Sequence, residues 1–420
     1  VLDLSSRLWD TALVLLGDDV SVWYLCQHHL ISDGQSFAVV YERVAEAYEL
    51  AADDRLADAR PLPSYERYVD HEARVRDTPA WARAENYWQR KAETEVPATT
   101  IYGKSTTGRS ARTDRLVLDI DHARSTRLRE IAADPAFQSL SEELSLFTIW
   151  ATLLFTALHR IGGASDLRVG TPFLGRPTTE FRETIGLFIE IGALDAAIEP
   201  DDTFVTLARR VQREVIQGLR HATAGSSSAE LNRSFDVLLN SVTSRFAPFA
   251  GVPVTTDWVH TGFGDRDHLI RLQVSDFDAS GAFRLHFDVN ADAFDDSERR
   301  WLLSQFDEVV SRFLDDFARG IGDFDVLDAE TRRRLDEFNE TDAAYPEQSS
   351  VVDLFESQVH ATPDAVAATE RDGGRSLTYA ELDAESNRLA HLLQREGVTA
   401  GTRVAICTPR SANAVIGILA

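Results

Sequence analysis

Methionine is missing from all 420 residues, and the chain opens on Val1 instead of an initiator. Its first residues lack a basic stretch leading into an apolar one, so no signal peptide is legible and the sequence reads as an excerpt of something longer. Cysteine is almost absent. Cys26 and Cys407 sit in different segments, which excludes a disulfide framework and a cysteine-built zinc site and points to a reducing, cytoplasmic setting. Long apolar runs are lacking as well. The longest, residues 144–158, is interrupted by Ser145, Thr148, Thr152 and Thr156 and falls short of the ~20 residues of a membrane span. A buried helix is expected there, and no membrane partner. Basic charge is short too, with 43 Lys and Arg against 68 Asp and Glu and a net charge of -25. No basic stripe gathers these cations, so nucleic acid is not expected as a partner.

What is present is core-forming material: 44% of the residues are hydrophobic, and at roughly 150 residues per domain the chain accommodates two to three domains. Residues 20–27 (VSVWYLCQ) read as a buried strand that ends at His28 and His29. After Ser32, Asp33 and Gly34, the spacing of Phe37, Val40, Tyr41, Val44 and Tyr48 predicts a helix over 36–50. A helical stretch at 79–91 and a Gly/Ser/Thr loop at 102–113 follow, and that loop is the first expected boundary. Beyond it, strands at 115–120, 167–172, 235–239, 269–274 and 283–289 alternate with helices at 140–160, 203–221 and 297–317. The alternating run 185–198 adds another strand, and together these make a mixed α/β layer architecture. Trp23, Trp150 and Trp301 are expected on core faces. Residues 328–350 turn charged and polar, as a linker would. The remainder predicts helices from 351 and over 379–395, strands at 365–368 and 403–408, and a turn at Gly373 and Gly374.

One cluster demands a chemical reading: His28-His29-Leu30-Ile31-Ser32-Asp33-Gly34. By composition alone such a pattern arises in a chain of this kind with a probability on the order of 10⁻³. Neighbouring side chains on a strand point to opposite faces, so at most one of the two imidazoles faces a given cleft. Imidazole, with an ordinary pKa near ~6.5, accepts a proton near neutral pH, and a strand end leading into a loop holds such a base rigidly while leaving it accessible. Asp33-Gly34 favours a tight turn, and the carboxylate can also pair with a buried arginine. The bland alternative is two satisfied strand-end histidines beside an ordinary turn. Adjacent strand histidines cannot chelate one ion from one face, and no third ligand is signalled nearby, so no metal site is expected.

The cluster resembles the HHxxxDG signature of condensation domains in nonribosomal peptide synthetases, members of the chloramphenicol-acetyltransferase-like superfamily. Residues 65–70 (YERYVD) are similar to that family's short tyrosine motif, residues 169–176 (VGTPFLGR) to its VGTPxxGR segment, and residues 185–190 (IGLFIE) to IGxFVN. The resemblance covers residues 1 to about 335. Residues 338–341 (FNET) are similar to the join that follows condensation domains, while 354–367 and 377–393 resemble the opening of an amino-acid adenylation domain.

The resemblance implies an α/β fold, the two-lobed chloramphenicol-acetyltransferase-like condensation fold with mixed sheets and helices, plus the N-terminal stub of an adenylate-forming domain. Its implied boundaries are an incomplete N-terminal lobe at 1–110, a C-terminal lobe at 111–330, a linker at 331–350 and an incomplete adenylation domain at 351–420. The implied activity is amide bond formation between a carrier-tethered donor thioester and a carrier-tethered aminoacyl acceptor. His29 becomes the catalytic residue; His28, Asp33 and Gly34 support it. Gly34 would supply backbone room and an amide near the oxyanion, and Asp33 would pair with Arg176 or with an arginine in the missing N-terminal piece of the lobe. Glu190 stands where the family usually has Asn, on the acceptor side of a tunnel, either as a paired strand residue or as a selectivity element. No cofactor is implied in the condensation part: phosphopantetheine arrives on partner carrier domains, and ATP with magnesium belongs to the rest of an adenylation domain. The implied partners are upstream and downstream carrier domains and the adenylation domain in cis. Epimerisation or ester formation on the same scaffold, and a non-catalytic docking platform, are the competing readings.

Overall fold

A computed structural model describes residues 5–104, 110–223, 227–242, 246–264, 266–276, 280–344, 347–371 and 374–420. The chain divides into two compact units, Val1–Arg334 and Leu335–Ala420. Parts of the expected loop at 102–113, of the linker and of the Gly373 turn lie outside the described residues.

The first unit opens with an antiparallel hairpin, β1 (Trp9–Leu15) and β2 (Ser21–Gln27), in which Trp9 stands opposite Gln27. Helix α1 (Gly34–Ala52) follows at once, then α2 (Glu66–Arg76) and α3 (Pro79–Glu93). Pro79 in the first turn of α3, with Thr78 capping it, is the arrangement expected of a helix start. The rest of the unit is β3 (Thr113–Ile120), α4 (His122–Ala132), α5 (Glu142–Gly162), β4 (Asp166–Leu174), α6 (Thr179–Arg182), β5 (Ile189–Ala197), α7 (Phe204–His221), α8 (Ala229–Asn232), β6 (Val237–Val242), β7 (Ile270–Ser275), β8 (Phe283–Asn290) and α9 (Asp296–Asp315).

Its main sheet has six strands in the order β3-β8-β7-β6-β4-β5, parallel at β4/β6 and β6/β7 and antiparallel elsewhere. Strand alternation gives the sheet two unlike faces. From β8, Phe283 meets Trp150 of α5 with ring centroids 5.4 Å apart, and Phe287 meets Phe306 of α9 at 5.1 Å. The alternate residue Asp288 lies on the other face, where Arg115 grips it through Nε at 2.6 Å and Nη2 at 2.8 Å, and Gln273 donates to it at 2.7 Å. Helix α5 is long and apolar enough to cross a membrane, yet Ile149, Trp150, Leu153, Leu154 and Phe155 bury it in this core. Its hydroxyls bond back along the helix, Thr152 to the Thr148 carbonyl and Thr156 to that of Thr152.

Several expectations change. Strand β2 is not buried: Val22 and Tyr24 are 45% and 43% exposed, because among the described residues β2 pairs with β1 alone in a two-stranded sheet. A β-branched, aromatic run states a preference for pairing and burial, but what covers it depends on distant chain. Trp150 is buried, whereas Trp301 on α9 is 41% exposed. The stretch expected to be linker opens as helix α10 (Ala329–Asn339).

The second unit contains α11 (Val351–Ala361), β9 (Val366–Thr369), β10 (Ser376–Thr378), α12 (Tyr379–Arg395) and α13 (Ala412–Leu419) around Leu377, Leu382, Ala412 and Ile416. Ser350 with Asp353, and Thr378 with Glu381, form capping boxes that start α11 and α12. Residues 403–408, expected as a strand, join no ladder among the described residues. Their composition suits a strand, but without a partner the backbone has no sheet to enter.

Candidate active site

The histidine loop begins where β2 runs out. The His28 amide donates to the Leu8 carbonyl at 2.7 Å, and the Ile31 amide turns back to the His28 carbonyl at 3.0 Å. The Leu30 amide donates to His28 Nδ1 at 3.1 Å. In this bond Nδ1 is the acceptor, so the turn's backbone holds the His28 ring by that nitrogen. His29 is its opposite: its side chain is exposed, and among the described residues nothing hydrogen-bonds its ring. The two histidines therefore divide, one folded into the turn and one presented outward.

Asp33 closes the loop and caps α1. Its Oδ1 accepts from the Ser36 amide and the Ser36 hydroxyl, each at 2.9 Å, and from Arg176 Nη2 at 2.7 Å, while Oδ2 accepts from the Phe188 amide at 3.1 Å. Four donors surround one carboxylate at a helix N-terminus, where unpaired N–H groups already favour negative charge. Arg176 is as fully engaged at its tips: Nη1 donates to the carbonyls of Phe181 at 2.5 Å and Thr184 at 2.7 Å, and the guanidinium lies 3.9 Å from the Phe188 ring centroid. Side-chain exposure of the pair is 0% for Asp33 and 3% for Arg176. The structure thus brings Asp33 and Arg176 together.

Around the pair sit Tyr65, Tyr68, Phe181 and Phe188. Tyr65 donates to the Leu187 carbonyl at 2.6 Å, and Tyr68 stacks at a tilt on Phe188 with centroids 4.3 Å apart. Burial raises both phenols above their ordinary value, and for Tyr68 the Glu190 carboxylate adds to the rise. Both stay protonated, Tyr65 as a donor to Leu187 and Tyr68 as a packing surface against Phe181 and Phe188. A Cβ on Gly186 would fall 2.1 Å from the Tyr65 ring, which explains a glycine in IGLF.

Gly34 carries the expectation of backbone room. It is exposed at the first turn of α1, and a Cβ there would meet nothing within 4 Å. Any space that it leaves opens outward and is not filled by this chain. Glu190 lies on β5 opposite Phe173, and its Oε2 accepts from the Ser227 amide at 2.9 Å. Ser227 Oγ in turn accepts from the Ile191 amide at 2.7 Å, so Glu190 braces the segment after α7 against β5. Sequence reasoning missed Ser36 and Phe188. The first had a signal, because Asp33-x-x-Ser36 has the spacing of a helix cap. The second had none, since its amide reaches Asp33 only through the fold. Among the described residues no group of three or more His, Cys, Asp and Glu converges as a metal site.

The condensation-domain family model matches residues 2–335. The chain belongs to the condensation-domain family. Residues 355–420 match the AMP-binding enzyme family, so a condensation domain is followed by the start of an adenylating one. Relatives of this condensation domain include a linear gramicidin synthase of Brevibacillus parabrevis, 27% identical over 97% of this chain and 8% of that protein. Cyclosporin synthetase of Tolypocladium inflatum is 27% identical over 99% of this chain and 3% of that one. The chain thus spans a small fraction of the curated relatives it matches. Among solved structures, the first condensation domain of the calcium-dependent antibiotic synthetase, in complex with a substrate analogue, aligns with a TM-score of 0.61 at 21% identity over 76% of this chain and 70% of that one. A four-domain nonribosomal peptide synthetase bound to AMP and glycine aligns with a TM-score of 0.69 at 17% identity over 95% of this chain and 31% of that one. The condensation domain therefore has the α/β condensation fold.

Proposed function

We propose that this condensation domain joins two carrier-tethered thioesters through an amide bond, with His29 as the catalytic residue. The observation that carries the reading is the division of labour in the HHxxxDG loop: His28 and Asp33 are bonded into the scaffold, while the exposed His29 ring has no hydrogen bond among the described residues. In the reaction the acceptor's α-amino nitrogen attacks the donor's thioester carbon, the C–N bond forms, the C–S bond breaks, and the donor carrier's thiolate leaves. The amine loses a proton, which His29 accepts or steers, and the departing thiolate takes one up. Asp33 and Arg176 hold the loop, and exposed Gly34 at the N-terminus of α1 leaves open room beside it. The thiols belong to phosphopantetheine arms on upstream and downstream carrier domains, which are substrates and partners here. The AMP-binding match supports an adenylation domain in cis as the source of the acceptor; ATP chemistry belongs to that domain. Lobe boundaries at 1–110 and 111–330, the linker at 331–350 and the adenylating segment at 351–420 fit this reading.

The test uses the full-length synthetase that carries this chain. Donor-loaded and acceptor-loaded carriers are mixed and the condensed thioester is followed by mass spectrometry, with His29→Ala in parallel. Product that falls by about 10²-fold or more with the variant supports acyl transfer through His29. Product unchanged by the variant removes His29 from the chemistry, and no product from carriers that nevertheless bind favours a docking platform.

A further inference from the structure

Ser36 is fully buried, at 0% exposure, one turn into α1. Its Oγ lies 2.9 Å from Asp33 Oδ1, 2.9 Å from Arg176 Nη2, 2.7 Å from the Gly186 carbonyl and 3.1 Å from the Gly186 amide. A hydroxyl has one proton and two acceptor lone pairs. The guanidinium and the amide only donate, so they take the lone pairs, and the single proton goes to Asp33 or to the Gly186 carbonyl. The hydroxyl is saturated in either state. We propose that Ser36 is the positioning residue of the histidine loop: its hydroxyl joins the Asp33–Arg176 pair to the backbone of Gly186 and thereby sets where His29 stands.

This role rests on the reading of His29 above and adds a residue to it. Because the His29 ring has no hydrogen bond of its own among the described residues, its place follows the backbone from His28 to Asp33. The far end of that backbone is anchored at the Asp33–Ser36 cap. Asp33 reaches the β5 side through the Phe188 amide, but Gly186 is tied to α1 through Ser36 Oγ. Gly186 is also crowded by the Tyr65 ring, which a Cβ would strike at 2.1 Å. That crowding opposes a shift of the segment entering β5 to replace a lost hydroxyl. With Ser36→Ala, Gly186 loses its bonding to that hydroxyl, and only the Phe188 amide and Arg176, through Asp33, still couple the loop to the β5 side.

The test is made on the full-length synthetase, with steady-state condensation kinetics and the rate at which diethyl pyrocarbonate modifies His29, read by peptide mass spectrometry against exposed His360 as internal standard. Ser36→Ala is expected to lower kcat by about 10- to 100-fold, as loss of an orienting partner does elsewhere, with KM for the loaded carriers little changed. The relative modification rate of His29 should change severalfold. Ser36→Thr, which restores the hydroxyl, is expected to recover both readouts in part. Ser36→Cys keeps the volume with only a weak hydrogen-bonding group and carries the same expectation as the alanine if that variant fails to fold. A folded Ser36→Ala or Ser36→Cys protein with wild-type kcat and wild-type His29 reactivity overturns the proposal. If the parent enzyme forms no amide while His29 reactivity still responds to Ser36, the function fails and the positioning role stands.

Discussion

Asp33 and Arg176 lie 143 residues apart and meet at 2.7 Å with almost no solvent contact. Burying two charges is costly unless every remaining valence is satisfied, and removing one partner strands the other. Arg176→Met should therefore destabilise the first unit by about 3–5 kcal/mol, read as a lower urea midpoint at unchanged slope. A shift below about 1 kcal/mol would mean that water reaches Asp33 and that the pair is not the anchor described above. His28 makes a related point: the Nδ1 bond from Leu30 joins groups two residues apart. Its structural role is thus local chemistry, legible once the turn is drawn, whereas the partner of Asp33 is not.

At the scale of elements, the strands work because their faces match distant surfaces. Gly170 on β4 is the sharpest case, since a Cβ there would lie 2.1 Å from the Phe235 ring. Gly170→Ala is expected to cost about 1–3 kcal/mol through overpacking, and Phe235→Leu in the same chain should return part of it. Failure of the second change to compensate in a double-mutant cycle would place the strain elsewhere. The polar face of the same sheet gives a pH prediction. Burial alone would raise the Asp288 carboxyl, but Arg115, His260 and Gln273 around it hold it below the usual carboxylate range. A folded-state value below the unfolded one, near ~3.9, adds stability that is complete above that pH. It is lost as the pH falls through the folded value. Urea midpoints from pH 6 down to pH 2.5 should therefore decline along an acid limb, and Asp288→Asn should flatten it. An identical acid limb in wild type and variant would show that this carboxylate does not titrate with folding.

For the whole molecule, two units with separate cores imply two unfolding events. The core of Leu335–Ala420 is small, built on Leu377, Leu382, Ala412 and Ile416, against the large cluster beneath the six-stranded sheet. Calorimetry of the intact chain should resolve a minor transition below a major one, and Leu382→Ala should lower the minor transition alone. One transition that shifts as a whole would contradict separate cores. Much of this organisation was legible beforehand. Helices α5, α7 and α12 follow from the spacing of their own apolar residues and strand β8 from its alternation, because helix and strand periodicity are properties of a dozen neighbouring residues. The HHxxxDG loop is likewise one local run, and the join from condensation to adenylation could be read from the motifs at 338–341 and 354–367. What neighbours could not determine was pairing across the chain. Tertiary structure alone decided that β2 stays half in solvent, that 403–408 joins no ladder among the described residues, that Glu190 braces Ser227, and that Ser36 and Phe188 complete the surroundings of Asp33. Each depends on surfaces brought together from distant parts of the chain, and burial and hydrogen bonding offset the cost of ordering only where such surfaces meet.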